Sequence, residues 1–310
     1  MRPGNLAASS LGLALALLGS CSSAPKVPDE AYEKRNQATN YVKLADSLVA
    51  KGQYDSALSF YRQAVDGYSS VDWLEGASSA RSSIGRLWLA WDDIPAAEAE
   101  FLKAADYARL SGSPRAIALA ATGLGEVASR RGDQAGALAA FERAVAAVPK
   151  DDAALGIAYH DLASAKYALG RKAEARADLD KAVAINLKLK RWSEFASNRY
   201  LLASFLTKEG NIAGAIAAAS EALVNDKKAE NAPGVAGDLI LLAELSGRVG
   251  KSDDSYWYWR RAFDAALGAN QAVLAKRALV GLIAVLPKVG REPELENWKA
   301  TLVKLDSLAK

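Results

Sequence analysis

The fold is decided by stretches such as residues 124–144, which read LGEVASRRGDQAGALAAFERA. A helix-ending glycine, Gly132, stands in the middle, and apolar residues recur at helical spacing on both sides of it. Small residues lie at fixed distances from this glycine: Gly125 seven positions before it, Ala137 five after it and Ala144 twelve after it. Small side chains at helical spacing let two antiparallel helices pack closely. The stretch therefore predicts a helix, a tight turn and a second helix.

The same pattern recurs along the whole chain of 310 residues. The turn residues are Gly52, Asp92, Gly132, Gly170, Gly210, Gly250 and Gly290, at spacings of 40, 40, 38, 40, 40 and 40 residues. Seven positions before each turn come Ala45, Gly85, Gly125, Ala163, Ala203, Ala243 and Ile283. Twelve positions after it come Ala64, Ala104, Ala144, Ala182, Ala222, Ala262 and Leu302. A repeat of this kind predicts an all-α solenoid, in which each unit packs only against its neighbours.

These repeats resemble the tetratricopeptide repeat, a helix-turn-helix unit of about 34 residues in its commonest form. The longer period here is similar to a lengthened variant of that family. The resemblance implies a right-handed superhelix of about seven helix-turn-helix units. It also implies a concave groove, which solenoids of this type commonly use for binding.

The helix pairs are predicted from the turns and from the polar joints between units. They are 31–50 with 54–70, 74–91 with 94–110, 114–131 with 134–148, 153–169 with 172–188, 193–209 with 212–227, 233–249 with 252–267, and 270–288 with 292–309. Residues 31–269 are predicted to form six repeats. Residues 270–310 break the small-residue rule and are predicted to form a degenerate seventh repeat that caps the solenoid.

The N-terminal residues are predicted to be a targeting signal. Arg2 precedes an apolar stretch from Leu6 to Leu18, which at about 13 residues is short for a membrane span. The stretch ends in Leu18-Gly19-Ser20-Cys21, which resembles the bacterial lipobox. That resemblance implies a signal peptide over residues 1–20, acylation of Cys21, and a tether over residues 21–30. A plain secretory signal with an incidental cysteine is the alternative.

Lipidation sets the expected cellular location. The residue after Cys21 is Ser22 rather than Asp. In enterobacterial lipoproteins that choice accompanies the outer membrane, although the sorting rule differs among bacteria. We therefore expect a lipid anchor at the periplasmic face of the bacterial outer membrane, with the inner membrane as the alternative.

Composition argues against several functional classes. The chain has 39 Lys and Arg residues against 36 Asp and Glu, a net charge of +3, so a nucleic-acid partner is not expected. One cysteine and one histidine cannot build a cysteine-based zinc site or a histidine-rich metal site. His160 lies beside Asp161 and one turn from Ser164, but no third member of a catalytic triad is apparent. We expect no cofactor, no metal and no catalytic activity.

The candidate binding residues are polar and aromatic residues of the first helix of each unit, about one turn from the small packing residue. The predicted partner-binding groove consists of Ser82, Arg86, Glu126, His160, Tyr167, Tyr200, Ser204 and Glu244. Thr122, Thr207 and Ile240 fall on the same faces. Such a surface can hold an extended protein segment by hydrogen bonds and a few anchors. An ordinary solvated face is the alternative for any one of these residues.

Two further observations bear on the partner. Some tetratricopeptide proteins grip a C-terminal carboxylate with Lys and Asn residues at groove positions that here hold Val42, Asp46, Ser82 and Arg86. The resemblance therefore implies that this clamp is absent.

The run Tyr256-Trp257-Tyr258-Trp259 is predicted to place Tyr256 and Trp259 in the core. Its outward side is either a contact with the cap or a second docking patch.

The sequence thus predicts a membrane-anchored, non-catalytic scaffold in the periplasm. It would bind a protein segment in the groove on behalf of envelope assembly, secretion, pilus or cell-wall machinery. The alternative is a ligand-handling or accessory lipoprotein of a periplasmic solute transporter, which would need an enclosed pore or pocket rather than an open groove.

Overall fold

The structure, a computed structural model, describes residues 30–149 and 152–308. These residues form fourteen α-helices and no β-strand. The helices are α1 (Glu30–Ala50), α2 (Tyr54–Ser70), α3 (Leu74–Ala90), α4 (Ile94–Ser111), α5 (Pro114–Arg130), α6 (Gln134–Ala147), α7 (Ala153–Ala168), α8 (Lys172–Lys188), α9 (Trp192–Lys208), α10 (Ile212–Lys228), α11 (Ala232–Arg248), α12 (Ser252–Gly268), α13 (Ala272–Val285) and α14 (Leu295–Leu308). The predicted all-α solenoid of paired helices is confirmed.

The observed helix ends lie within about two residues of the predicted ones, except in the last pair. There α13 ends at Val285 rather than 288, and α14 begins at Leu295 rather than 292. Two short 3₁₀ turns, Leu286–Val289 and Glu292–Glu294, occupy the difference. Each holds a proline, which lacks the N–H that a continuing α-helix would need.

Several predictions fall on residues outside the described part of the chain. The signal peptide, the lipidated Cys21 and the tether up to residue 29 all lie there. The division into six repeats and a terminal cap stays a prediction.

Left-handed backbone conformation at the turns explains why the helices end where they do. All seven turn residues have φ between 61° and 81°, a range that glycine adopts without strain. Asp92 is the one non-glycine residue among them. After each turn residue, a backbone N–H donates a hydrogen bond back to a carbonyl in the last turn of the preceding helix. For example, the Asp133 N–H donates to the Ala128 carbonyl at 2.9 Å. The turn glycines thus fix the period that the sequence shows.

The small residues that flank the turns form the seams between helices. Ala57, Ala97, Ala137, Ala175 and Ala215, which follow the turns by five positions, are fully buried. The large residue of each seam packs against glycine. Phe101, which is fully buried, has Gly85 and Gly123 on either side, and a Cβ on these would come within 2.7 and 2.1 Å of its ring. The helices approach this closely because the side chains between them are small.

The odd-numbered helices line the inner side of the curve. Each of α3, α5, α7, α9 and α11 contacts the next odd-numbered helix directly, in addition to its partner within the pair. Polar side chains on these helices therefore come together from successive units on one concave surface. We call this surface the inner groove.

The first and last parts of the solenoid touch. The Gln271 side-chain amide donates to the Tyr54 hydroxyl at 3.3 Å, although 217 residues separate the two in sequence. A Cβ on Gly52 would lie 3.1 Å from the Asn270 carbonyl oxygen. The turn of the first pair therefore lies against the joint before the last pair. The superhelix thus completes one turn, and along that turn its helices surround the inner groove.

None of the helices in the described ranges is both long and apolar enough to cross a membrane.

Candidate functional site

Two cavities of similar size lie along the inner groove among the residues that the structure describes. The first, the α3–α7 cavity, has a volume of about 400 Å³ and is lined by Arg86, Leu89, Ala90, Glu126, Ser129, Arg130, Phe141, Asp161, Ser164 and Ala165. The second, the α7–α11 cavity, has a volume of about 420 Å³ and is lined by His160, Ser197, Tyr200, Leu201, Ser204, Asp226, Asn231, Gly234, Gly237 and Asp238. Both volumes are large enough to take side chains of a bound segment.

The α3–α7 cavity brings the predicted groove residues Arg86 and Glu126 together. The Arg86 Nε lies 3.9 Å from the Glu126 Oε1, and both side chains are partly exposed. Burial, opposed by Arg86, raises the pKa of Asp161 to about 7. Burial also raises the pKa of Glu126 to about 7, with Arg86 opposing and the Asp161 charge adding to the rise. The Asp161 Oδ2 is buried without a hydrogen-bond partner.

The α7–α11 cavity contains three of the predicted groove residues, His160, Tyr200 and Ser204. The His160 Nδ1 lies 2.8 Å from the Oδ1 of Asn198, a buried residue of α9. Burial lowers the pKa of His160, and the Asn198 hydrogen bond opposes that shift. A neutral imidazole with Nδ1 protonated donates to the Asn198 Oδ1 and leaves Nε2 as an acceptor.

A pair of buried carboxyls, Asp226 and Asp238, also lines this cavity. Their exposed fractions are 3% and 1%. Burial, followed by the charge and hydrogen bond of Asp226, raises the pKa of Asp238 to about 8. The Asp226 Oδ1 accepts a hydrogen bond from the Asn231 side-chain amide at 2.9 Å, whereas the Asp238 Oδ2 has no partner. Burial also raises the pKa of Asp226, and its hydrogen bonds with Asn231 and Asp238 oppose that rise, so the pair shares a proton that Asp238 holds.

Glu244 lies outside the two larger cavities. Its Oε1 accepts from Arg277 of α13 at 2.7 Å. It lines a smaller cavity of about 170 Å³, together with Trp259 and Lys288. The predicted groove residue at this end of the surface is thus engaged in an ion pair between successive inner helices.

Two predicted groove residues are not accessible for binding. Ser82 is fully buried, as is Ile240, and Thr122 is buried at a similar phase. Tyr167 is 8% exposed; its ring stacks on Phe205 at 3.9 Å between centroids, and its hydroxyl donates to the Phe205 carbonyl at 3.0 Å. These side chains lie in the seam between successive inner helices, where the next helix covers them.

The aromatic run on α12 divides as its helical spacing predicts. Tyr256 and Trp259 are buried, and Trp257 is 55% exposed. The Arg291 guanidinium lies 4.6 Å from the Tyr256 ring centroid and 5.7 Å from that of Trp257. Part of the outward side is thus covered by the 3₁₀ segment that follows α13.

Sequence reasoning missed Asn198, Asp226 and Asp238, although a signal for them exists. From the second unit onward, the position twelve residues before the turn is buried and holds Ala80, Ala120, Ala158, Asn198, Asp238 and Ala278. In the first six units, the position sixteen residues after the turn is also buried and holds Tyr68, Ala108, Val148, Asn186, Asp226 and Ala266. Polar residues replace apolar ones at both core positions on either side of two successive joints between units. Burying polar groups costs free energy, so such a break in the pattern indicates a site.

No group of three or more potential metal-ligating side chains lies close enough to hold a metal ion in the described ranges.

Comparisons with known proteins agree with this geometry. Residues 38–66 and 156–189 each match a family model described as tetratricopeptide repeat. Together with the paired helices, these matches support an α-solenoid fold that is similar to tetratricopeptide solenoids. Folds of this type generally serve as non-catalytic scaffolds for protein interaction. No curated protein matches the sequence.

Solved structures show the same fold at low sequence identity. A signal transduction ATPase with numerous domains and a tetratricopeptide repeat sensor, from Pyrococcus horikoshii, has a TM-score of 0.66 at 13% identity, over 90% of this chain and 42% of that one. The Rap conjugation gene regulator of plasmid pLS20, in complex with the Phr* peptide, has a TM-score of 0.63 at 19% identity, over 82% and 67%. A Rap protein complexed with Competence and Sporulation Factor has a TM-score of 0.60 at 14% identity, over 89% and 77%.

Proposed function

We propose that this chain is a membrane-anchored, non-catalytic scaffold that holds a segment of a partner protein in its inner groove. The observation that carries the proposal is the pair of cavities on one concave surface, which together present charged, amide, hydroxyl and aromatic groups from five successive inner helices. An extended segment that crosses successive units would place side chains in both cavities.

Two structural neighbours support this use of the surface. The plasmid pLS20 Rap regulator is in complex with the Phr* peptide, and the other Rap protein is complexed with Competence and Sporulation Factor. The present chain shares their fold, and on that basis we propose a protein or peptide partner for it.

Anchoring is the second part of the proposal and rests on the lipobox-like sequence that ends in Cys21. Each buried methylene of an acyl chain contributes about 0.8 kcal/mol, so two or more chains hold a protein at a membrane almost permanently. An anchor confines the captured segment to the membrane surface and raises its local concentration. We place this scaffold at the periplasmic face of the bacterial outer membrane, in service of envelope assembly, secretion, pilus or cell-wall machinery.

One observation favours the second candidate function, an accessory lipoprotein of a periplasmic solute transporter. The contact between Tyr54 and Gln271 closes one superhelical turn, and a walled inner surface suits a small ligand as well as a segment. Under that proposal a small molecule would occupy the α7–α11 cavity without any protein segment.

The groove is tested by the double variant Arg86→Ala/Tyr200→Ala. Both residues are partly buried on the inner surface, one in each cavity. We expect this variant to lose most of the protein that is crosslinked to the wild-type chain in intact cells, quantified by mass spectrometry. Leu102→Ala/Lys103→Ala, two exposed positions on α4, is the matched control and should retain the crosslinked protein. Equal loss in both variants, or equal retention, contradicts the groove assignment, provided that thermal melting shows both variants folded.

The anchor is tested by Cys21→Ser. Without the acylated sulfur no lipid is attached, so we expect the chain to leave the membrane fraction for the soluble fraction on cell fractionation. Ser20→Ala, a change beside the cysteine that keeps a small residue, is the control and should remain with membranes. Unchanged fractionation of Cys21→Ser would refute the anchor while leaving the groove proposal in place.

A further inference from the structure

Two buried carboxyls form an acidic site in the α7–α11 cavity. Asp226 and Asp238 are both buried, and in the described part of the chain no lysine or arginine forms an ion pair with either carboxyl. The Asp238 Oδ2 lacks any hydrogen-bond partner. Buried charges are ordinarily paired, and a buried acceptor without a partner is costly. A cation that enters the cavity would therefore find two carboxyls to pair with.

The fold itself does not need carboxyls at these positions. Forty residues earlier in the chain, the same two core positions hold Asn186 and Asn198, which are equally buried. The chain thus fills the two positions with amides at one joint between units and with acids at the next. Burying the two acids next to the cavity costs free energy that burying the two amides does not.

The groups around Asp226 stabilise the charged form of its carboxyl. Asp226 lies at the end of α10 against the first turn of α11, where a Cβ on Gly234 would come within 2.1 Å of the Asp226 Oδ2. The glycine thus admits the carboxylate to the N-terminus of α11, whose dipole favours negative charge. Asn231 holds the other carboxylate oxygen.

The remaining walls suit a planar cation. Tyr200 and His160 line the cavity beside the carboxyls, with Ser197 and Ser204 as additional hydroxyl groups. A guanidinium group donates several hydrogen bonds from one plane and stacks on aromatic rings, whereas an ammonium group does neither as well.

We propose that the α7–α11 cavity is a binding site for an organic cation, an arginine side chain of the captured segment, whose guanidinium group pairs with Asp226 and Asp238. This inference rests on the proposed function for the source of the cation. A free guanidinium compound would pair with the two carboxyls in the same way as an arginine side chain. The experiment therefore distinguishes a free compound from an arginine of a bound segment.

The first arm of the test uses free butylguanidinium, with butylurea as the neutral isostere, on the full chain. We expect butylguanidinium to bind at the cavity, detected by calorimetric titration and by shifts of the Gly234 and Gly237 amide signals. The variant Asp226→Asn/Asp238→Asn, which recreates the amide pair of the preceding repeat, should bind about tenfold to a hundredfold more weakly. Glu98→Gln, which removes a carboxyl of α4 that lines neither cavity, is the control and should bind as the wild type does. Equal binding of the urea, equal binding by the double variant or no binding of the guanidinium overturns the proposal.

The second arm compares two peptides that differ only in one residue, arginine or its neutral isostere citrulline. We expect the arginine peptide to bind more tightly than both the citrulline peptide and butylguanidinium. If the two peptides bind equally, the groove takes a segment but the cation site is wrong. If the arginine peptide binds no more tightly than butylguanidinium does, the cation site stands and the protein-segment function fails.

Discussion

At the scale of single residues, Asp238 shows how a buried carboxyl couples this fold to pH. Its pKa rises from an ordinary value of 3.8 to about 8, because burial and the neighbouring Asp226 disfavour its charge. A carboxyl with a raised pKa binds its proton more tightly in the folded state than in the unfolded state. The folded state is therefore favoured at low pH and loses that advantage as the pH rises from about 4 to about 8.

Asp238→Asn should remove the fall in folding stability that Asp238 causes as the pH rises. We expect the variant to be more stable than the wild type by more than about 1 kcal/mol near the top of that window, with the difference shrinking as the pH falls. The measurement is the free energy of unfolding in urea across the window. Glu98→Gln is the control, since the Arg131 hydrogen bond lowers the pKa of this partly exposed carboxyl, which is the opposite direction to the shift at Asp238. A stability difference for Asp238→Asn that does not change with pH would contradict the shared proton.

The sequence predicts burial reliably only at positions that lie in the middle of the contact between two helices. The alanines that follow the turns by five and twelve positions are buried as predicted from Ala57 to Ala262. Ser82 and Tyr167 were predicted to face the groove, but the next inner helix covers them. A helical phase gives the direction of a side chain from its own helix and carries no information about how far the next helix overlaps it.

At the scale of the helix pair, close approach depends on glycine as much as on alanine. Gly123 of α5 lies against Phe101, which belongs to α4, the second helix of the preceding pair. The pairing of a large ring with a glycine of the next unit makes this seam specific for one register. The sequence shows the small residues but does not show which ring each one meets.

Gly123→Ala should destabilise the protein even though alanine favours a helix. The new Cβ would lie 2.1 Å from the Phe101 ring, and overpacking of this kind costs about 1–3 kcal/mol against a helical gain of up to about 1 kcal/mol. Gly237→Ala, also in the interior of an inner helix, meets no atom within 4 Å and should stabilise by about 0.5–1 kcal/mol. Urea unfolding of both variants checks the contrast. Similar stabilisation by both changes would show that the seam is looser than the structure has it.

At the scale of the whole molecule, the function depends on how the units add up. The contact between the first turn and the joint before the last pair joins residues 52–54 to residues 270–271. Its position depends on the rotation between every intervening pair. Sequence reasoning cannot supply those rotations, because each is small and errors accumulate along the solenoid. The period was therefore predictable, and the closure of the inner groove was not.

The central claim is that the units accumulate into a closed superhelical turn around the inner groove, and an engineered disulfide tests it most directly. A Cβ on Gly52 would lie 3.3 Å from the Asn270 Cβ, close to the spacing of about 3.5–4.5 Å found in disulfides. In a Cys21→Ser background, we expect Gly52→Cys/Asn270→Cys to form an intramolecular disulfide on mild oxidation, seen by non-reducing electrophoresis and intact mass. Gly52→Cys/Lys190→Cys, with the second cysteine at an earlier joint of the same backbone conformation, should not form it. A folded Gly52→Cys/Asn270→Cys protein that stays reduced, or forms only intermolecular bonds, would contradict the closed turn.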